Sequence, residues 1–246
     1  MKLDSPIIEI AQCPENIFNY LKDYVNLVDW SSDDLLTKEE AFFDQSYRYE
    51  AVTKFFDKDS FFYSKLPPSN KITEDLKPYT DYLLTYIFPN YTIFRCQIVR
   101  LNPGQNVYPH IDPRYYHKYG KRIHLPLKVT NESFHVHFRP ENNYDMTFSK
   151  MTEGMITDFD NITPHSAFNY GTTERIHIIC DIVENNIIQR LEQALNGNPN
   201  ATNPDTVQEY YKHLKNIETR YNCVYKDLKP FYLEKMYEHQ HTNLQN

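Results

Sequence analysis

What this chain of 246 residues lacks narrows its options first. It has four cysteines, Cys13, Cys96, Cys180 and Cys223, and no Cys-x-x-Cys pair, so nothing signals a structural zinc site. Its lysines and arginines form no cluster and its net charge is −7, which argues against a nucleic-acid partner. Residues Met1 to Ala11 show no charged stretch followed by a long apolar run, so no secretory signal is expected. No apolar stretch approaches the length of a membrane span, and no membrane partner is expected. Together these absences predict a cytoplasmic protein with reduced thiols, in which Cys96 and Cys180 act as small buried hydrophobes inside strands.

What is present is ample apolar and aromatic material. Apolar residues make up 40% of the chain, enough for a sizeable core, and 21 Tyr and 15 Phe supply large bodies, with polar tips on the tyrosines. Three regions differ in pattern. In residues 1–90, Pro14 opens a helical stretch with Ile17, Phe18, Leu21, Val25 and Val28 on one side, and a second runs from about Thr73 to Phe88. The aromatic segment between them, Phe42 to Tyr63, has no clear periodicity. Residues 91–184 break into short apolar or alternating runs separated by turn residues: 91–101, 122–129, 134–139, 147–150, 154–159, 165–170 and 175–183. Many short strands at this spacing predict a sandwich or barrel, a jelly roll among the options. Residues 185–246 read as helical, with a loop rich in Asn, Gly and Pro from Asn196 to Pro204.

The chemistry starts at His110-Ile-Asp112. Residues two apart on a strand point the same way, so an imidazole and a carboxylate are presented to one point. Adding a second histidine completes a 2-His-1-carboxylate set, which leaves three open positions and suits non-haem Fe(II) oxygenases. His165, after a strand and a turn, is the candidate for that second histidine. Arg175 follows ten residues later, and a two-strand hairpin of that length returns the chain beside its start. A guanidinium there can meet the far carboxylate of a co-substrate whose other end chelates the metal. Arg122 and His124 share a strand face and also call for an anionic partner, either a ligand carboxylate or a structural one such as Asp158 or Asp160. His135 and His137 form a further same-face pair, read as substrate-facing or structural, and His177 as able to face the cavity. His117, His213, His239 and His241 read as surface residues.

In order and spacing, Ile98-Val-Arg-Leu-Asn-Pro-Gly104, Pro109-His110-Ile-Asp112, Arg122-Ile-His124-Leu-Pro-Leu, Gly154-Met-Ile-Thr-Asp158, Pro164-His165-Ser-Ala-Phe-Asn169 and Glu174-Arg175-Ile-His-Ile-Ile-Cys-Asp181 resemble the aspartyl/asparaginyl β-hydroxylase family, which includes bacterial hydroxylases of free L-proline. The resemblance spans Ile98 to Asp181. It implies a mainly β protein with flanking helices around a double-stranded β-helix, or jelly-roll, core. It implies Fe(II) bound by His110, Asp112 and His165, and 2-oxoglutarate bound by Arg175 with Arg122 and His124 nearby. Dioxygen is the second co-substrate. Retention of Asp112 is similar to the free-amino-acid hydroxylases, whereas animal members that act on protein domains lack that ligand. The expected reaction is therefore hydroxylation of an unactivated C–H bond of a free amino acid such as proline. An Asp/Asn or other side chain in a peptide or protein is the alternative substrate. A non-catalytic metal-binding jelly-roll module and a Lewis-acid hydrolase or isomerase are the other readings.

Overall fold

The computed structural model describes residues 5–30, 36–37, 47–51, 55–56, 63–64, 70–110, 120–139, 145–187 and 189. In chain order the elements are β1 (Ile7–Gln12), α1 (Glu15–Leu27), β2 (Leu36–Thr37), β3 (Tyr47–Ala51), β4 (Phe55–Phe56), β5 (Tyr63–Ser64) and α2 (Asn70–Tyr82), the last extended by a wide turn of helix over Leu83–Ile87. They continue as β6 (Tyr91–Leu101), β7 (Asn106–His110), β8 (Gly120–Lys128), β9 (Ser133–Arg139), β10 (Asp145–Ser149), β11 (Met155–Phe159), β12 (His165–Asn169) and β13 (Arg175–Glu184).

The strands form a seven-stranded sheet in the order β1-β11-β8-β13-β6-β3-β2 and a four-stranded sheet in the order β10-β9-β12-β7, apart from the small β4-β5 pair. The pairings within both sheets are antiparallel, the double-sheet jelly roll that the short-strand pattern predicts. Alternation along β13 explains its central place. Ile176, Ile178, Cys180 and Ile182 point to one face, where they bury against Ile123, Leu125 and Leu127 of β8, Cys96 and Ile98 of β6, Leu21 and Val25 of α1, and Leu76 and Tyr79 of α2. Burial of each such aliphatic side chain contributes about 1.5–3 kcal/mol, so the two helices are held chiefly by this face. On the outer face of the small sheet a second cluster joins Phe134, Val136, Phe138 and Phe168. The opposite faces of the two sheets carry the polar residues described below.

Most of the predicted strands recur with ends shifted by no more than two residues, and β6 coincides with its expected run. Strand β1 was not expected, and β7 reaches His110, which the sequence places on a strand without giving that strand bounds. β1 lies at the sheet edge, where Ile8 and Ile10 stay exposed and no apolar alternation marks it. α1 begins after Pro14, as the sequence predicts. α2 tolerates Pro78 inside it and then widens, with Phe88 N–H donating to the Leu83 carbonyl at 2.7 Å, a six-residue closure. The aromatic segment contributes β3, which pairs with β6, and the short β4-β5 ribbon. The predicted C-terminal helices beyond residue 189 lie outside the described residues, as do Asp112, His117, His213, His239 and His241.

Two turns frame the site. Pro103-Gly104 forms the turn from β6 to β7, with Gly104 at φ 78° and Gln105 N–H donating to the Asn102 carbonyl at 3.0 Å. This is the geometry in which proline precedes a residue that must accept positive φ. Gly104 N–H in turn donates to the Asn169 carbonyl at 2.7 Å, tying the turn to the end of β12.

Candidate active site

The two sheets bring the imidazoles together. In the small sheet, His165 of β12 is directly paired with His110 of β7 on one side and with His137 of β9 on the other, so three histidines stand abreast at one register. Directly opposed residues in an antiparallel pair lie on the same face. In the large sheet, the face opposite the helices carries Arg175, His177 and Asp181 of β13, with Arg122 and His124 of β8. All of these side chains except that of His110, which lies outside the described side chains, are buried.

Phe159 of β11 is the ring around which they pack. Its centroid lies 4.7 Å from His124, 4.8 Å from His135, 4.7 Å from His137 and 5.0 Å from His165. It touches both His165 and His135, rings that belong to different strands of the small sheet. Sequence reasoning had not singled it out, although the period-two alternation of β11 puts it on the inner face with Thr157.

The hydrogen bonds fix which nitrogen each ring offers. His165 Nδ1 lies 2.9 Å from the Thr163 carbonyl, which only accepts, so Nδ1 carries the proton and Nε2 presents a lone pair. That is how proteins orient a metal-binding histidine. Asp160 holds the turn that supplies the carbonyl: its carboxylate accepts from Ile162 N–H and Thr163 N–H at 3.1 Å each and from the Thr163 hydroxyl at 2.7 Å. His137 Nε2 donates to the Asp160 carbonyl at 2.9 Å. A buried lone-pair imidazole, abreast of a second histidine two residues before an aspartate in sequence, fits a divalent iron.

The sequence left the counter-charge of Arg122 open. The structure supplies Asp181, its register partner on β13, through Nε at 2.7 Å and Nη2 at 3.0 Å. Asp158 instead pairs with Lys121. Breaking the Arg122–Asp181 pair leaves a buried guanidinium without its carboxylate, so Asp181→Ala should lower unfolding stability by about 3–5 kcal/mol, read by urea denaturation. A loss under 1 kcal/mol would mean that the pair is inessential to the fold.

One expectation is corrected. His165 and Arg175 were expected on the two strands of a hairpin, but β12 and β13 belong to different sheets. The chain between them crosses from one layer to the other. Asn169 pins the crossing: its amide donates to the carbonyls of Leu101 at 3.0 Å and Thr173 at 2.8 Å, and its Oδ1 accepts from Gly171 N–H at 3.1 Å. Arg175 therefore approaches the site from the facing sheet. Its Nη2 bridges the layers, donating to His135 Nε2 of β9 and to His177 Nδ1 at 3.2 Å.

No acidic side chain among the described residues pairs with Arg175. Burial without a counter-charge pushes its guanidinium down to about 9. His124, His135 and His177 surround it, each offering a nitrogen within 4.8 Å of the others, a spacing that by itself could hold a metal ion. His124 Nδ1 meets His177 Nδ1 at 3.3 Å. Burial first, then the Arg175 charge and neighbouring imidazoles (His124, His177 and His137 about His135; His124 about His177), keep His135 and His177 well below the ordinary value of 6.5. The unfolded chain binds these protons near that value while the folded protein does not. Stability is therefore unaffected above pH 6.5 and falls as pH drops below it, by about 1 kcal/mol per pH unit for each ring. Urea titrations between pH 7.5 and 5.5 should show this slope and a shallower one in His177→Asn.

Comparison with known proteins decides what this arrangement belongs to. The family model described as aspartyl/asparaginyl beta-hydroxylase matches residues 69–185. That stretch, just under half of the chain, is similar to aspartyl/asparaginyl β-hydroxylases. Solved structures share its fold. The non-heme alpha-ketoglutarate-dependent epimerase SnoN from nogalamycin biosynthesis aligns with a TM-score of 0.54 at 9% identity, covering 73% of this chain and 76% of that one. A prolyl-4-hydroxylase from Pseudomonas putida gives 0.47 at 12% identity over 74% and 94% of the two chains. A 2OG-Fe(II) oxygenase-family oxidoreductase from Burkholderia pseudomallei gives 0.41 at 16% identity over 56% of this chain, which spans only 66% of that one. No curated protein matches the chain in sequence. Within the matched region, His165, Arg122, His124 and Arg175 sit on the inner faces of the two sheets, with the backbone of His110 at the matching register.

Proposed function

We propose that the protein hydroxylates an unactivated C–H bond of a free amino acid such as proline, with Fe(II) held by His110, Asp112 and His165 and 2-oxoglutarate anchored at Arg175. The observation that carries this reading is the state of Arg175. A buried guanidinium bonded, among the described residues, only to imidazoles is costly until an anion joins it, and a dicarboxylate co-substrate supplies one. When bound, Fe(II) supplies the open positions at which 2-oxoglutarate and dioxygen react, giving succinate, carbon dioxide and a hydroxylated product.

The chain's own residues set the conditions. His165 keeps its Nε2 lone pair available through the Thr163 carbonyl. Arg175 fixes the far end of the co-substrate, so that its orientation is set before reaction. Phe159 packs against His124, His135, His137 and His165 and gives the inner face an apolar wall. Arg122 and His124 belong to the same binding region, His124 against His177 and Arg122 against Asp181. Asp112 favours a free amino acid, because this carboxylate is the feature that resembles the free-amino-acid hydroxylases, and it occupies the position a halogenase leaves for chloride. A cytoplasmic setting, consistent with buried free thiols at Cys96 and Cys180, is part of the proposal.

Anaerobic addition of Fe(II) and 2-oxoglutarate should give a weak visible absorption band; iron bound with no band would count against the assignment. With that established, succinate release is measured across a panel of free amino acids. Stimulation by one of them, proline foremost, is the expected result. No stimulation by any would move the substrate to a peptide or protein side chain.

A further inference from the structure

Two of the three rings around Arg175, His135 and His177, are not used by the function proposed above, and their hydrogen bonds say what they do. Arginine has donors and no acceptor. Since Nη2 of Arg175 meets both His135 Nε2 and His177 Nδ1, each of those nitrogens presents a lone pair, and the ring protons sit on His135 Nδ1 and His177 Nε2. Neither of these has a hydrogen-bond partner. His177 Nδ1 also lies 3.3 Å from His124 Nδ1. The tautomers of two rings are thus set by one guanidinium. The same bonds occupy two of the lone pairs that a metal ion at this trio would need, so the spacing of the imidazoles does not make a metal site while Arg175 stands there.

Two acceptors on one Nη2, delivered from opposite sheets, define the plane of the guanidinium. His135 comes from β9 of the small sheet and His177 from β13 of the large one. Without them a long side chain with several rotatable bonds has no polar contact with the described protein, since both of its hydrogen bonds go to these rings. Held by Nη2, it keeps the N–H groups on Nε and Nη1 for an anion.

We propose that His135 and His177 are positioning residues for the dicarboxylate co-substrate, acting through Arg175 by accepting from its Nη2 and so aiming the remaining donors. This rests on the reading of Arg175 as the co-substrate anchor.

The test is calorimetric binding of 2-oxoglutarate to the full chain loaded with Mn(II), which avoids turnover. His135→Leu and His177→Leu remove the acceptors, and each should weaken binding by roughly 10-fold or more, the scale of a lost hydrogen bond to a charged group. His135→Gln and His177→Asn place an acceptor near the lost nitrogen and should recover most of the affinity. Mn(II) affinity should stay within about twofold in all four, a readout that general loss of structure would move. Leucine variants that bind 2-oxoglutarate like the wild type overturn the proposal, and so do Gln and Asn variants as weak as the leucine ones. Should a leucine variant fail to fold, His135→Asn and His177→Gln, whose acceptors are misplaced, replace it in the comparison. The parent reading fails separately, by absence of 2-oxoglutarate binding in the wild type or by its persistence in Arg175→Met.

Discussion

His165→Ala should lower succinate formation by at least about 10³-fold, since a metal centre supplies several kcal/mol of stabilisation that cannot form when a protein ligand is missing. The geometry gives this expectation a control. His165 is oriented by the Thr163 carbonyl, which Asp160 holds in place through the turn. Loosening that support with Asp160→Ala should weaken metal binding by roughly 10–100-fold, the scale seen when a group supporting a ligand is removed, and leave residual activity. A His165→Ala variant that is folded and still turns over within tenfold of the wild type would remove His165 from the metal site. Iron content by elemental analysis and succinate by chromatography are the measurements. The same variant separates an oxygenase from a binding module, because a module loses no turnover.

The second large effect falls at Arg175. Arg175→Met keeps the length and apolar stem of the side chain and removes its charge. Deleting one partner of a buried charged pair costs about 3–5 kcal/mol, so the affinity for 2-oxoglutarate should fall by roughly 10²–10⁴-fold. The thermal response gives an independent reading. A ligand at 100 times its dissociation constant stabilises the native state by about 2.7 kcal/mol, which for a domain of this size raises Tm by roughly 5–10 °C. The wild type should show that rise with 2-oxoglutarate, and Arg175→Met should not. Arg175→Lys should recover only part of it, because an ammonium has no planar fork with which to serve two imidazoles and a carboxylate together. A full thermal shift in Arg175→Met would show that the co-substrate is anchored elsewhere.

How much of this was legible beforehand depends on the kind of signal. Strands β6, β8, β9 and β13 could be read because their apolar residues alternate or run continuously between turn residues, as at Asn102-Pro103-Gly104. β1 could not, because an edge strand with an exposed Ile8 and Ile10 has no buried face to print a period on the sequence. Among the site residues, Arg175, Arg122 and His124 were visible as charged or polar residues placed where the strand pattern turns inward. Asp181 as the partner of Arg122 was not, since the pairing joins strands 59 residues apart and the register decides it. His135 and His177 were noticed as same-face or cavity-facing rings, yet nothing local says that one guanidinium claims a lone pair from each.

The sequence by itself determined the alternation that separates an apolar face from a polar one on each strand, and with it which side chains turn inward. It also determined the order of histidine, aspartate, histidine and arginine along the chain, because both properties are local and need only the two-residue period of a strand. Only the tertiary structure decided that β12 and β13 lie in facing sheets, that Arg175 spans the gap between them, and that Asp181 takes Arg122. Those outcomes depend on which strands pair and in what register, and that is set by burying the β8, β6 and β13 aliphatics under two helices, a contact that no short stretch of chain encodes.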